Sequence, residues 1–312
     1  MQIFDDVSKV KRDKNTIVTL GTFDGVHLGH KKIIDKVVEK AASFNGRSFI
    51  ITFYPHPRKV VSSGEIKILS DPEEKAQLFE EYGIDNLLVI NFTKEFSQLT
   101  SEEFLNRYII NGTGVREFVI GYDHHFGKGR GGNETTLREI GRESGFNVTA
   151  VDEVKIDMVT VSSSRIRKAL EAGDINRVTN FLGRFYSFSG TVVEGDKRGR
   201  TLGFPTANIR LNDADKMLPA LGIYLVEFYV HGSKHYGLLS VGKRPTFYDS
   251  GSITPEVYIY NFNEDIYGEK VTVNIIKKLR DEEKFSSAEE LIAQMNKDKQ
   301  NGLVLIEELE RN

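Results

Sequence analysis

From about residue 15 to about residue 182, short apolar runs alternate with stretches in which apolar residues recur at helical spacing. Residues 17–20, 48–53, 87–92, 117–121 and 147–151 are largely apolar and rich in β-branched or aromatic side chains, which predicts buried strands. Ile33, Ile34, Val37, Val38 and Ala41 fall on one helix face after the first run. Residues 72–82, 101–110 and 134–144 predict further helices, the first with Asp71 as N-cap and Pro72 at its first position. Strand and helix in alternation imply a mostly parallel α/β sheet of Rossmann-like type with helices on both faces. Ligands of such sheets bind beyond the carboxyl ends of the strands.

Past about residue 184 the period becomes two. Val271, Val273 and Ile275 alternate with Thr272 and Asn274, and residues 222–230, 236–241 and 256–260 predict more strands between Gly-rich turns. This pattern implies an antiparallel sheet or closed β-barrel. It ends in a predicted C-terminal helix at 286–299, whose apolar face is Ala288, Leu291, Ile292 and Met295. The change of rhythm divides the 312 residues into two expected domains, 1–183 and 184–312.

Composition narrows the function classes. The net charge is −3 and neither half carries a basic excess, which argues against nucleic acid or an anionic membrane surface as partner. The absence of cysteine excludes disulfides and thiolate chemistry. The amino terminus lacks the basic start and apolar core of a signal peptide, and no run approaches ~20 apolar residues. A cytoplasmic protein with no obligatory protein partner is expected.

The most informative stretch is Gly21-Thr22-Phe23-Asp24-Gly25-Val26-His27-Leu28-Gly29-His30, where the first strand hands over to a helix. Free N–H groups and the positive end of the helix dipole collect anions at such a place, and imidazoles near the first turn can donate to phosphate oxygens. Read alone, the stretch is also a Gly-rich turn with two solvated histidines. Five of the seven histidines precede residue 126, yet no H-E-x-x-H spacing and no cysteine accompany them, which argues against zinc. The run 128–133, Lys-Gly-Arg-Gly-Gly-Asn, fits either a phosphate cradle or a mobile surface loop.

The histidine stretch resembles the G-x-F-D-G-x-H-x-G-H motif of the nucleotidyltransferase superfamily. Thr52-Phe53-Tyr54-Pro55-His56-Pro57, Gly121-Tyr122-Asp123-His124-His125-Phe126-Gly127 and Val161-Ser162-Ser163-Ser164-Arg165-Ile166-Arg167 are similar to the later motifs of the bacterial FAD synthetases. Gly203-Phe204-Pro205-Thr206-Ala207-Asn208 and Arg244-Pro245-Thr246-Phe247 resemble riboflavin kinase. The chain thus resembles, over nearly its whole length, the family that joins a riboflavin kinase to an FMN adenylyltransferase.

The resemblance implies ATP-dependent phosphorylation of riboflavin to FMN, then adenylyl transfer to FMN giving FAD and pyrophosphate, with Mg²⁺. It assigns His27 and His30 to the ATP phosphates and transition state, Gly21, Phe23 and Asp24 to ATP, and Ser163, Ser164 and Arg167 to its β- and γ-phosphates. Without the histidine motif the serine run reads as a helix N-cap and a solvated basic turn. Asp123, His56 and Arg280 are assigned to flavin, Thr206 and Asn208 to Mg²⁺ and ATP, and Glu256 to the general base. Residues 195–200 and 279–285 are expected as flaps. Departures are His124 where Phe is common, Ser164 where Thr is frequent, and Ser240 in place of Asn. The rival expectations are a flavin-binding regulator without catalysis, and a nucleotidyltransferase of other specificity fused to a barrel.

Overall fold

The computed structural model describes residues 1–62, 65–195, 199, 202–243 and 253–311. The chain forms two compact units, Met1–Ser163 and Ser164–Asn312.

In the first unit the strands are β1 (Gln2–Phe4), β2 (Thr16–Leu20), β3 (Arg47–Tyr54), β4 (Asn86–Asn91), β5 (Glu117–Gly121) and β6 (Asn147–Val151). They form one sheet in the order β1-β4-β3-β2-β5-β6, every pair parallel. All five residues of β2 are buried, as a strand covered on both faces requires. Its side chains divide by parity. Ile17 joins Ile34, Val37, Ile50 and Phe79 in one apolar cluster, which includes residues of α1 (Leu28–Ser43). Val18 and Leu20 join Phe49, Phe104, Phe118 and Leu137 in the other. The remaining helices include α2 (Pro57–Val61), α3 (Pro72–Glu81), α4 (Ser101–Phe104) and α5 (Glu134–Ser144). Asp71 does cap α3, in a reciprocal capping box with Glu74, and Pro72 follows at the first position. Beyond α4 the chain widens into a π-helical segment, Leu105–Thr113. A short apolar pattern cannot separate that segment from an α-helix.

The second unit holds all but the first residue of α6 (Ser163–Ala172), then α7 (Ile175–Leu182) and six strands. These are β9 (Tyr186–Val193), β10 (Thr206–Leu211), β11 (Gly222–Val230), β12 (Ser233–Lys243), β13 (Ile253–Ile259) and β14 (Lys270–Arg280). β7 (Lys155–Ile156) and β8 (Val159–Thr160) make a small hairpin in the first unit. The six strands close into an antiparallel barrel, order β10-β13-β12-β11-β14-β9, so no edge is left open. His231 and Gly232, both at positive φ, turn β11 into β12.

The barrel is capped by α8 (Ala288–Arg311), which runs well past the expected end at residue 299. Its buried positions are Asp298, Gly302 and Ile306, whereas Ala288 is exposed and Leu291, Ile292 and Met295 are only half-buried. An ion pair and a close backbone approach dock this helix, and neither leaves an apolar period to read. Arg280 of β14 grips Asp298 through Nε at 3.0 Å and Nη2 at 2.8 Å. A Cβ added at Gly302 would fall 2.2 Å from the Tyr260 hydroxyl, which donates to the Lys299 carbonyl at 3.0 Å.

Asp298 is buried, and removing it leaves the Arg280 guanidinium only the looser pairing with Glu283, at 3.9 Å. Asp298→Ala should destabilise the barrel by about 3 kcal/mol, seen as a lower urea midpoint for its unfolding transition.

Candidate functional site

His27 is the N-cap of α1, and its Nδ1 accepts the backbone N–H of His30 at 3.3 Å. With that bond made, the proton of the neutral ring sits on Nε2, which is then a donor. The two imidazoles stack face to face, centroids 3.6 Å apart and planes 15° apart. Phe23 meets the edge of His30 at 5.1 Å. A Cβ at Gly29 would lie 3.1 Å from the His27 ring, so only the smallest residue lets the ring lie over the first turn without displacement.

The loop before the helix is strained. Phe23 and Val26 have φ of 46° and 37°, a region that bulky residues rarely occupy, and Gly25 has φ of 82°. The Asp24 carboxylate, buried, accepts from the amides of Leu69 at 2.8 Å and Ser70 at 3.2 Å. Gly25 N–H donates to Ser70 Oγ at 2.9 Å, and Gly21 N–H to the Ile51 carbonyl at 3.1 Å. Ser163 Oγ donates to the Asp24 carbonyl at 2.9 Å. The structure thus brings Gly21, Phe23, Asp24, His27, His30 and Ser163 together. Ser164, exposed, and Arg167, half-buried, lie on α6 in the second unit.

Beyond Leu20, the last residue of β2, opens a small, half-open cavity walled by Phe92, Phe96, Leu99, Phe104 and Phe126. Sequence reasoning named only Phe126 among these. The signal was a set of aromatics outside any recognised motif, Phe92, Phe96, Phe104 and Tyr108, whose rings pack in series. Gly127 and Gly132 lie against Ser101, where an added Cβ would come within 2.6 Å of its Oγ, so the Gly-rich run is seated on the start of α4. His56 caps α2, accepting the Arg58 amide on Nδ1 at 3.2 Å. Asp123 is exposed in the turn after β5. His124 lies between Phe118 and Phe126, and its Nε2 is buried without a hydrogen bond. Burial, helped by the charges of His125 and Arg130, pushes its pKa down to about 4.

In the barrel, register makes the site. Asn208 stands directly opposite Glu256, and Thr206 opposite Tyr258, so Thr206, Asn208 and Glu256 share one face. Thr206 Oγ1 donates to Glu256 Oε2 at 3.2 Å. Ser240 faces Glu256 from the other side, on β12. A Cβ at Gly195 would fall 2.3 Å from Asn208 Nδ2. Neutral oxygens beside one carboxylate suit a cation that keeps water and is also held by phosphate. Among the described residues no group of three or more His, Asp or Glu could hold a metal by itself. Residues 244–247, and all of the 195–200 flap but Gly195 and Gly199, lie outside the described residues. Arg280 is engaged with Asp298, whose Oδ1 also accepts from Gln294 at 2.9 Å, and it stands 5.8 Å from the Phe285 ring.

A FAD synthetase family model matches residues 9–165 and a riboflavin kinase model matches residues 182–305. A bifunctional riboflavin kinase/FMN adenylyltransferase of Listeria monocytogenes is 39% identical over 96% of this chain and 95% of its own. The protein of the same description in Bacillus subtilis is 37% identical over 92% of each. A solved structure described as a macrolide-efflux protein from Streptococcus pneumoniae superposes with a TM-score of 0.87 and 30% identity, over 96% of this chain and 97% of that one. No helix among the described residues is long and apolar enough to cross a membrane. The chain belongs to the bifunctional riboflavin kinase/FMN adenylyltransferase family.

His124 gives a pH test of the first unit. Its pKa is depressed on folding, so the stability held by the neutral ring is full above the ordinary value of 6.5 and is lost as pH falls towards about 4. His124→Phe fills the same aromatic niche without a buried unpartnered nitrogen. The variant should gain about 1 kcal/mol at neutral pH and lose less stability than the parent between pH 6.5 and 4, measured by urea unfolding.

Proposed function

We propose that this member of the family makes FAD from riboflavin in two ATP-dependent steps, phosphorylation in the barrel and adenylyl transfer in the α/β unit. The observation that carries the reading is that each unit assembles its own chemistry. His27 stacks on His30 at a helix N-terminus in one, and Thr206 and Asn208 stand beside Glu256 in the other.

A ribityl hydroxyl attacks phosphorus only as its proton is accepted. Glu256 is the base in this proposal. Its Oε2 already accepts a hydrogen bond from one hydroxyl, that of Thr206, and so is set to accept from another. Thr206 and Asn208 would hold Mg²⁺, which when bound neutralises phosphate charge. The product, FMN, needs no base for the second step, because a phosphate monoester with second pKa about 6 is mostly dianionic at neutral pH. Catalysis there is positioning and stabilisation of charge. The α1 N-terminus and the Nε2–H of His27, with His30, serve the reacting phosphates, and Ser163, whose hydroxyl is held at the Asp24 carbonyl, serves the leaving group. Asp123 and His56 are kept as flavin contacts, and Arg280 as one that would act from its position beside Asp298. The division of labour that we propose is 1–183 for adenylyl transfer and 184–312 for phosphorylation.

Incubation with riboflavin, ATP and Mg²⁺ followed by chromatography should show FMN and then FAD. With His30→Ala, FMN should accumulate and FAD formation should fall by about 10²- to 10³-fold. Loss of both products in a folded variant overturns the assignment. With Glu256→Gln, riboflavin phosphorylation should collapse while added FMN is still converted to FAD. Phosphorylation at the parental rate would remove Glu256 from the role of base.

A further inference from the structure

Lys75, which no motif singles out, is 7% exposed on the first turns of α3. Its Nζ reaches the carbonyl of Thr22 at 3.4 Å, a carbonyl that Thr52 Oγ1 also approaches at 3.2 Å. The charges of Asp24, in the loop, and of Asp71, the N-cap of its own helix, act on the ammonium from a distance. Burial is the largest influence and leaves the pKa of Lys75 below its ordinary value, with these two charges opposing it. The same segment supplies the Leu69 and Ser70 amides that hold Asp24. One short stretch, residues 69–75, therefore grips the strained 21–27 loop by backbone amides, a hydroxyl and a cation.

The charge matters as much as the grip. Asp24 is an anion buried beneath a loop that, on the reading above, presents polyphosphate to His27. Left uncompensated in a medium of low dielectric, it would repel that ligand. We propose that Lys75 is a positioning residue for adenylyl transfer: from beneath the loop it neutralises Asp24, holds the Thr22 carbonyl, and so fixes the loop and the α1 N-terminus against the phosphates of ATP. The proposal rests on the assignment of this loop to ATP.

Lys75→Met keeps the apolar stem and removes the charge. It should lower kcat/KM for FAD formation from FMN by about 10- to 100-fold, with a raised KM for ATP, while riboflavin phosphorylation by the same protein is unchanged. In Asp24→Asn/Lys75→Met the charge leaves together with its partner while the side-chain amide oxygen can still accept from the Leu69 and Ser70 N–H groups, so part of the loss should return. A packing role alone predicts a double variant no better than Lys75→Met, and that result overturns the proposal. So does a Lys75→Met protein that makes FAD like the parent. Failure of the parent itself to make FAD would instead remove the assignment of the loop. Should Lys75→Met not fold, hydrogen exchange on the parent decides: MgATP should slow exchange of the Leu69 and Ser70 amides, and exchange indifferent to MgATP overturns the proposal.

Discussion

The Asp24 carboxylate, taken out of water and given the amides of Leu69 and Ser70, is the interaction on which the first site depends. Between β2 and α1 the chain must turn within a few residues and still leave a helix N-terminus open at the strand ends. It does so with Phe23 and Val26 in the left-handed region, at roughly 1–2 kcal/mol each. Charge-assisted hydrogen bonds of about 1.5–3 kcal/mol apiece are large enough to offset that strain. Both strained side chains are buried, at 3% and 0% exposure, so the apolar burial that accompanies the turn acts in the same direction. The loop is held from below and from the sides, and its upper surface is left to the histidines and the helix amides.

The barrel reaches a comparable end by other means. Thr206, Asn208 and Glu256 need no strained turn, because strand register alone puts them on one face. A slip of one residue between β10 and β13 would turn Glu256 to the opposite face. Closure of the barrel guards against such a slip, since β13 is fixed on its other side by seven paired positions of β12. The α8 helix, clamped by Arg280 and Asp298 and by the backbone approach at Gly302, packs against Leu238 and Tyr260. One site is therefore sensitive to local backbone chemistry and the other to the integrity of a whole sheet.

This difference decides what could be read from the chain. The parallel strands were legible because two buried faces write continuous apolar runs, as in β2, and the barrel because half-buried strands alternate, as Val271, Val273 and Ile275 do with Thr272 and Asn274 along β14. The histidine pair was legible because its spacing is local. The aromatic cavity was not, since Phe92, Phe96, Phe104 and Phe126 meet only after three separate segments have folded. Lys75 and Asp298 were hidden for a further reason. A charged residue in a helix reads as solvated face unless its partner, here some fifty residues away for Lys75 (Thr22) and eighteen for Asp298 (Arg280), is known to be beside it. The edge strand β1 was missed because its three residues are mostly exposed and carry no period.

The geometry of His27 also separates the roles of donor and base. Its Nδ1 closes the helix cap by accepting the His30 amide, and the face of its ring is covered by the His30 imidazole. Taking a proton on Nδ1 would cost that cap, about 1 kcal/mol, and would disturb the loop whose position depends on it. The ring is therefore suited to donate through Nε2 and poorly suited to work as a base through Nδ1. A nucleophile that arrives already ionised, as a phosphate monoester does, asks for no base. A neutral hydroxyl does ask for one, and in the barrel the Glu256 carboxylate stands in hydrogen-bond contact with the Thr206 hydroxyl, beside Asn208. The two constellations differ in the way that their two proposed nucleophiles differ, and that correspondence ties the division of the chain to a division of chemistry.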